Sequence, residues 1–143
     1  MQIHIRRLHP AAVTPAPQHP GDAGVDLVAV EDCDLAPLAR ATVATGVSVA
    51  IPDGYAGLVL PRSGLASRFG VTCANAPGLI DAGYRGEVKV ALVNLDPTDR
   101  YQVRAGDRIA QLLVVEVPTL TFVEVAELPA STRGDGGFGS TGR

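Results

Sequence analysis

The pattern of apolar and polar residues along the chain predicts short β-strands. From residue 43 to residue 51, valine, threonine and isoleucine alternate with small residues, and this alternation is typical of a strand. A turn at residues 52–54 ends this run, and a second apolar run follows from Tyr55 to Leu60. One short helix is predicted over residues 64–69, with the preceding serine as its cap. Further strands are predicted over residues 3–8, 25–30, 69–75, 87–95, 108–117 and 119–125.

The composition supports an all-β fold. Eighteen valines, 16 glycines and 11 prolines among 143 residues favour short strands with frequent turns, as in a sandwich, barrel or jelly roll. A chain of this length has room for one core, which we place in residues 1–128. Between Pro129 and Arg143 the only large apolar residue is Phe138, so we expect residues 129–143 to form a flexible arm.

Charge and composition exclude several classes of function. The net charge is −3, tryptophan is absent and aromatic residues are 4% of the chain, which disfavours a nucleic-acid polymer as partner. No apolar run reaches the roughly 20 residues of a membrane-spanning helix. The N-terminal residues lack the apolar block of a secretory signal, and two cysteines do not make a disulfide framework. We therefore expect a cytoplasmic protein without membrane contact.

The segment from Pro61 to Ala66, PRSGLA, has the chemistry of a phosphate cradle. It follows a predicted strand and precedes the predicted helix, so an arginine fork, a hydroxyl and main-chain N–H groups lie close together. It is not a Walker loop, because the lysine and the long glycine spacing are absent. An ordinary surface turn explains the hexapeptide equally well.

The segment from Asn75 to Gly86 predicts a rigid hairpin, since it contains one proline and three glycines. Such a hairpin exposes main-chain groups that can pair with the edge of a pyrimidine. Asn75 can donate and accept hydrogen bonds, Asp81 can accept a proton from water, and Tyr84 can lie flat against a sugar. Asp81 can equally be a turn residue that binds its own backbone.

Other polar residues are candidates for metal or phosphate contacts. Asp22 and Asp26 flank a glycine, and either can hold a hydrated Mg²⁺, which prefers one or two carboxylates together with phosphates. Gln111 lies in an apolar strand and needs a polar partner if it is buried. Arg133 lies in the predicted arm, among glycines and hydroxyls that suit a phosphorylated ligand.

Taken together and in order, these segments resemble the five motifs of the trimeric dUTP diphosphatases (dUTPases). The resemblance extends from residue 23 to residue 142, nearly the whole chain. The five segments are AGVDL (23–27), PRSGLA (61–66), NAPGLIDAGYRGEV (75–88), RIAQLL (108–113) and RGDGGFGSTG (133–142).

The resemblance implies an all-β, jelly-roll-like barrel that assembles as a homotrimer with active sites shared between chains. It implies Mg²⁺-assisted hydrolysis of dUTP to dUMP and diphosphate, which limits uracil in DNA and supplies dUMP for thymidylate synthesis. Asp81 would be the general base that activates a water for attack on the α-phosphorus. Aspartate is ionised at neutral pH and can take that proton.

The resemblance also implies the ligand contacts. Tyr84 would lie under the deoxyribose, Asn75 with the main chain of Leu79, Ile80 and Asp81 would read uracil, and Asp26 would order waters around a Mg²⁺ held by the phosphates. Leu79 stands where many relatives carry threonine or valine, but its contact is a main-chain one. The other implied substrate contacts are Arg62, Ser63, Gly64, Lys89, Gln111, Arg133, Phe138, Gly139 and Ser140, and the arm would close over the bound nucleotide as a lid.

Two alternatives fit parts of this pattern. A dCTP deaminase shares the fold and a similar phosphate segment, but it needs a glutamate as proton shuttle where the hairpin carries Asp81 and Tyr84. A regulatory homologue would bind the nucleotide without turnover. The presence of Asp81 favours the hydrolase over this second alternative.

Overall fold

Residues 1–136 are the part of the chain that the computed structural model describes, and they contain eleven short strands and one helix. The strands are β1 His4–Arg7, β2 Val25–Val28, β3 Cys33–Leu35, β4 Arg40–Ala44, β5 Val47–Ala50, β6 Tyr55–Leu60, β7 Val71–Cys73, β8 Gly78–Ile80, β9 Lys89–Asn94, β10 Tyr101–Val103 and β11 Arg108–Glu116, and the helix is α1 Ser63–Phe69. The predicted all-β class is confirmed. The helix in this part of the chain has seven residues, far fewer than a bilayer crossing requires.

The strands pair antiparallel in four sheets. The largest has the order β2-β11-β6-β8, a second has the order β4-β9-β7, and two pairs, β1-β5 and β3-β10, complete the set. In the largest sheet β11 is central, and its Gln111 lies opposite Asp26 of β2 on one side and Leu60 of β6 on the other. This register brings the first motif, the fourth motif and the strand that leads into the second motif next to one another.

One hydrophobic core lies between these sheets. Its largest fully buried side chains include Leu27, Leu35, Ile51, Leu92 and Ile109, which come from different parts of the chain. Burial of a side chain of this size contributes about 1.5–3 kcal/mol, so the core holds the sheets together. The described residues thus form a single domain, as expected for this length.

The alternating run over residues 43–51 is not one strand, and that prediction was wrong. A turn at Thr45 and Gly46 divides it into β4, which pairs with β9, and β5, which pairs with β1. Gly46 has a φ of +66°, and a Cβ there would lie 2.8 Å from Cβ of His9. Only glycine fits this crowded left-handed position without strain, so the glycine in the run was the signal of the turn.

Two further local predictions were wrong. Residues 119–125 form no strand, and Phe122 is 92% exposed. The helix begins at Ser63, with Arg62 as its N-cap and no side-chain capping hydrogen bond, so the serine lies inside the helix. Strands β3, β8 and β10 have three residues each, too few to show a period in the sequence.

Gly57 should be required by the packing between β6 and its neighbours. A Cβ on Gly57 would lie 2.7 Å from Cδ1 of Ile51 and 3.2 Å from Cβ of Ile80, closer than side chains pack. We expect Gly57→Ala to lower the free energy of unfolding by about 1–3 kcal/mol, measured by urea denaturation.

The matched control is Gly83→Ala, because a Cβ on Gly83 meets nothing within 4 Å. Its free energy of unfolding should stay within about 0.5 kcal/mol of the wild-type value. Equal destabilisation by the two substitutions would contradict this account of the packing at Gly57.

Candidate functional site

A cleft of about 490 Å³ lies beside the hairpin that follows β7. Its volume is in the range of small-molecule sites, which are about 300–1,000 Å³. Six of the residues predicted from the sequence line it, together with Glu87: these six are Asn75, Leu79, Ile80, Asp81, Tyr84 and Lys89. The structure therefore brings together the part of the candidate site that comes from the third motif.

Strand β8 forms one wall of this cleft and lies at the edge of the largest sheet. It pairs with β6 on one side only, through Gly57 opposite Ile80 and Val59 opposite Gly78. The other edge of an edge strand carries unpaired main-chain donors and acceptors. These groups can form hydrogen bonds with a planar ligand in the cleft.

Asp81 follows β8 directly and is exposed at the cleft. Other turn aspartates use their carboxylates to bind main-chain N–H groups: Asp22 binds those of Gln18 and His19, and Asp96 binds those of Thr98 and Asp99. Within residues 1–136 the Asp81 carboxylate makes no such bond. The turn is instead closed by the main chain, since Tyr84 N–H donates to the Asp81 carbonyl at 3.0 Å. The Asp81 carboxylate is therefore available to accept a hydrogen bond or a proton in the cleft.

The Tyr84 ring lies over Gly86, where a Cβ would be 2.4 Å from the phenol oxygen. The Tyr84 hydroxyl donates to the Glu87 carbonyl at 2.9 Å, and the side chain is 45% exposed. Glycine at position 86 is what allows the ring to lie flat along the hairpin. The ring presents a face to the cleft that can pack against an apolar ligand surface.

The hairpin is braced by contacts that the sequence did not reveal. Arg85 folds back and donates to the carbonyls of Ala82 and Tyr84. Ser48 Oγ donates to the Arg85 carbonyl at 2.9 Å, and Val88 N–H donates to the Val47 carbonyl at 2.8 Å. No sequence pattern predicts these contacts, because the partners are about 40 residues apart in the sequence and meet only in the fold.

A second group of candidate residues surrounds Asp26, whose side chain is 8% exposed. Arg62 Nε lies 3.2 Å from Asp26 Oδ1, and Arg108 Nη1 lies 3.3 Å from Oδ2. Arg62 also donates through Nη1 to the Arg108 carbonyl at 3.0 Å. We call Asp26, Arg62 and Arg108 the two-arginine cluster. In it, one buried carboxylate holds two guanidinium groups at one end of the largest sheet.

A bulge in β11 aims Arg108 at this cluster. Arg108 pairs with Val28 and Ala110 pairs with Leu27, so Ile109 is an extra residue on β11. Ile109 and Ala110 both face the core, at 1% and 0% exposure. Without the bulge, Arg108 would lie on the opposite face of the strand from Gln111. With it, Arg108 shares the face of Gln111 and Asp26.

The contact between Arg62 and Asp26 leaves hydrogen-bonding capacity free. Arg62 Nε and Asp26 Oδ1 are buried and have no hydrogen-bond partner within residues 1–136, so their 3.2 Å contact is an ion pair without hydrogen-bond alignment. Buried polar atoms usually have partners, and orphaned ones often mark the place of a water, ion or ligand. Asp26 and Gln111 also line a small polar cavity of about 300 Å³.

Ser63 and Gly64 lie exposed in the first turn of α1, next to this cluster in the sequence. The first main-chain bonds of the helix are donated by Leu65 and Ala66 to the Arg62 carbonyl. The N–H groups of the residues before them have no carbonyl to bind within the helix. The second motif thus presents free main-chain donors and a hydroxyl.

The structure does not unite all the predicted residues in one place. Among the described residues, none that lines the cleft beside the hairpin also lines the polar cavity at Asp26. Arg133 lies in an exposed turn, where its Nε donates to the Gly136 carbonyl at 2.8 Å. The predicted contacts of Phe138, Gly139 and Ser140 lie outside the described residues.

Comparison with known proteins identifies what this arrangement resembles. The dUTPase family model matches residues 11–142. The deoxyuridine 5'-triphosphate nucleotidohydrolase of Thermobifida fusca is 58% identical over 142 residues, which are 99% of this chain and 79% of that protein.

Solved structures agree in fold. The Staphylococcus bacteriophage 80alpha dUTPase with dUPNHPP superimposes with a TM-score of 0.93 at 31% identity, covering 99% of each chain. A variant of the phage phi11 dUTPase of S. aureus, described as revealing the coordination of a structural Mg(II) ion, has a TM-score of 0.83 at 30% identity and covers 89% of this chain and 98% of its own. With a family model that spans nearly its whole length and relatives of this identity, the chain belongs to the dUTPase family.

Proposed function

We propose that this protein hydrolyses dUTP to dUMP and diphosphate, so that it limits uracil in DNA and supplies dUMP for thymidylate synthesis. The observation that carries the proposal is the exposed Asp81 carboxylate, which lines a cleft of nucleotide size and forms no hydrogen bond within the described chain. Membership of the dUTPase family supports the substrate. The neighbouring phage enzyme is described with the nucleotide analogue dUPNHPP.

Uracil and deoxyribose would bind along the hairpin. The free edge of β8 offers main-chain donors and acceptors at Leu79 to Asp81, and Asn75 lies beside them in the same cleft. Deoxyribose would pack on the ring of Tyr84, whose close fit over Gly86 leaves little freedom to make room for a 2′-hydroxyl. This arrangement would select a deoxyribonucleotide with a small base.

Asp81 would take a proton from the water that attacks the α-phosphorus. A carboxylate that is exposed and not used by the fold can reach a water in the cleft, and general-base assistance of this kind contributes roughly 10²–10⁴ in rate. Lys89, which lines the same cleft, would add a positive charge near the phosphates. The water oxygen would form a bond to the α-phosphorus while the bond from that phosphorus to the oxygen bridging it to the β-phosphorus breaks, so that diphosphate leaves.

Phosphate groups would bind Arg62, Ser63, Gly64 and Gln111. The unaligned contact of Arg62 with Asp26 leaves its Nε free to turn toward an anion. The arm from residue 129 would then close over the nucleotide, with Arg133 on the γ-phosphate, Phe138 over uracil, and Gly139 and Ser140 on phosphates. Closure of this kind excludes water other than the one that reacts.

The residues at Asp26 fit Mg²⁺ held chiefly by the substrate. No group of three histidine, cysteine or acidic side chains suited to a metal is present within residues 1–136, and two guanidiniums already face Asp26. A protein cage is therefore not offered, whereas the free Oδ1 of Asp26 can accept a hydrogen bond from a metal-bound water. The ion would neutralise phosphate charge.

A homotrimer with shared sites would bring the separated parts together. The cleft and the polar cavity at Asp26 share no lining residue within residues 1–136, and sites shared between chains would let one substrate contact both. The segment after β11 also leaves apolar side chains uncovered, with Leu120 66%, Phe122 92% and Leu128 85% exposed. Exposed apolar side chains in one segment are typical of a surface that a partner chain covers. The protein would work in the cytoplasm, where its nucleotide substrate is found.

Substrate and base are tested together by measuring diphosphate release from dUTP, UTP, dCTP and dTTP with Mg²⁺. We expect turnover of dUTP alone, and a fall of about 10²–10⁴ in kcat for Asp81→Asn with KM little changed, because the amide keeps the shape but cannot take a proton. The matched control is Asp96→Asn, which changes a carboxylate that serves a turn and lines neither cavity. Its kcat should stay near the wild-type value.

Two results would overturn this proposal. Ammonia released from dCTP would identify a deaminase, and tight binding of dUTP without any product would identify a regulatory nucleotide-binding protein.

The role of Asp26 is tested by titrating Mg²⁺ against the rate. Loss of an outer ligand typically weakens metal affinity or activity about 10–100-fold, so Asp26→Asn should raise the Mg²⁺ concentration at half-maximal rate by at least tenfold. Asp34→Asn is the control, since Asp34 pairs with an arginine at the surface. An unchanged Mg²⁺ dependence in Asp26→Asn would show that this carboxylate only holds its two arginines.

A further inference from the structure

Glu87 lines the cleft, yet none of the roles described above uses its side chain. It is half-buried, at 23% side-chain exposure, and each of its carboxylate oxygens has a separate partner. Oε1 accepts the Gly46 N–H at 2.9 Å, and Oε2 lies 3.5 Å from Lys89 Nζ. Through these two contacts, the Glu87 carboxylate links the turn at Gly46 to Lys89.

The first partner is fixed in place. Gly46 has a left-handed φ of +66°, and the space around its Cα is filled by His9, Ala12 and Val30, each within 3.0 Å of where a Cβ would be. The Gly46 carbonyl also accepts Leu8 N–H at 2.7 Å. The turn between β4 and β5 is therefore held rigidly, and its Gly46 N–H donates to the Glu87 carboxylate.

The second partner is a cleft residue. Lys89 is 52% exposed, and a lysine side chain loses rotamer entropy when it is held in one conformation. Its ion pair with Glu87 restricts the ammonium group to the wall of the cleft. Lys89 then need not be ordered anew each time a nucleotide binds.

Glu87 also contacts a second cleft residue, Tyr84, through its main chain. The Glu87 carbonyl accepts the Tyr84 hydroxyl at 2.9 Å, so the position of the backbone at residue 87 sets the position of the ring. Beyond it, Thr45 Oγ1 donates to the Val88 carbonyl at 2.5 Å. The same turn thus holds the hairpin through residues 87 and 88.

We infer that Glu87 is a positioning residue, which fixes Lys89 and Tyr84 in the cleft by anchoring the hairpin to the Gly46 turn. This inference rests on the proposed function for its kinetic consequences, but its geometric part stands without it. Glu87 contacts substrate nowhere in this scheme and acts through its two neighbours.

The test compares Glu87→Gln with Glu87→Ala. Glutamine keeps an oxygen for the Gly46 N–H and loses only the charge that holds Lys89. We expect KM for dUTP to rise about two- to fivefold, the range of an exposed ion pair, with kcat unchanged. Alanine loses both contacts, and we expect kcat/KM to fall roughly 10- to 100-fold because the hairpin shifts.

Two controls separate positioning from general damage. Glu31→Gln changes an exposed glutamate remote from the cleft lining and should leave kcat and KM at wild-type values. In a Lys89→Ala background, Glu87→Gln should have no further effect on KM, since its action passes through Lys89. A full additional effect in that background would overturn the inference.

Hydrogen exchange tests the anchoring role of Glu87 without any measurement of turnover. Hydrogen exchange of the Gly46 amide should stay slow in Glu87→Gln and become at least tenfold faster in Glu87→Ala. Unchanged exchange in Glu87→Ala would refute the anchor even if the enzyme is active. If wild type failed to hydrolyse dUTP, the proposed function would fall, and the exchange result would still decide the anchoring role.

Discussion

The hydrogen bonds between residues 85–88 and the turn at Thr45–Ser48 are the constraint on which the candidate site depends. Three side chains and one main-chain pair make these contacts, across about 40 residues of sequence. They fix the returning arm of the hairpin to the barrel, while β8 fixes the outgoing arm through its pairing with β6. A hairpin held at both arms can present Asp81 at its bend without using the Asp81 side chain for support. Rigid support of this kind is what catalytic geometry requires.

The charged groups around Asp26, at the other end of the largest sheet, are also held by contacts within the fold. A buried carboxylate beside two arginines is stable only because opposite charges are close, and removing one partner of such a group is costly. Asp26 thus contacts both Arg62 and Arg108 at this end of the sheet. The β-bulge at Ile109 is the structural device that makes this possible, since it turns Arg108 away from the core.

The fold class could be predicted from the sequence, whereas several strand boundaries and the contacts between distant residues could not. Alternation of β-branched residues predicted β-strands, but the turn at Gly46 was missed because apolar alternation continued through it. The strand over residues 119–125 was predicted from an apolar pattern, but its large apolar side chains are exposed and the segment pairs with no sheet within residues 1–136. Residues of the third motif are close in sequence, and the structure places five of its candidate residues in one cleft, together with Lys89 just beyond the motif. Glu87 was read only as a strand residue, because its partner Gly46 is distant along the chain.

The central claim is that one reaction needs the cleft of one chain and the two-arginine cluster of another. It is tested most directly by combining two inactive variants, Asp81→Asn and Arg62→Ala, in mixed oligomers isolated through two different tags. If sites are shared between neighbouring chains, one of the three sites in every mixed trimer contains both intact residues, and dUTP hydrolysis by the isolated mixed trimers should return to about a third of the wild-type rate. Isolated mixed oligomers with no activity above that of the separate variants would contradict the claim.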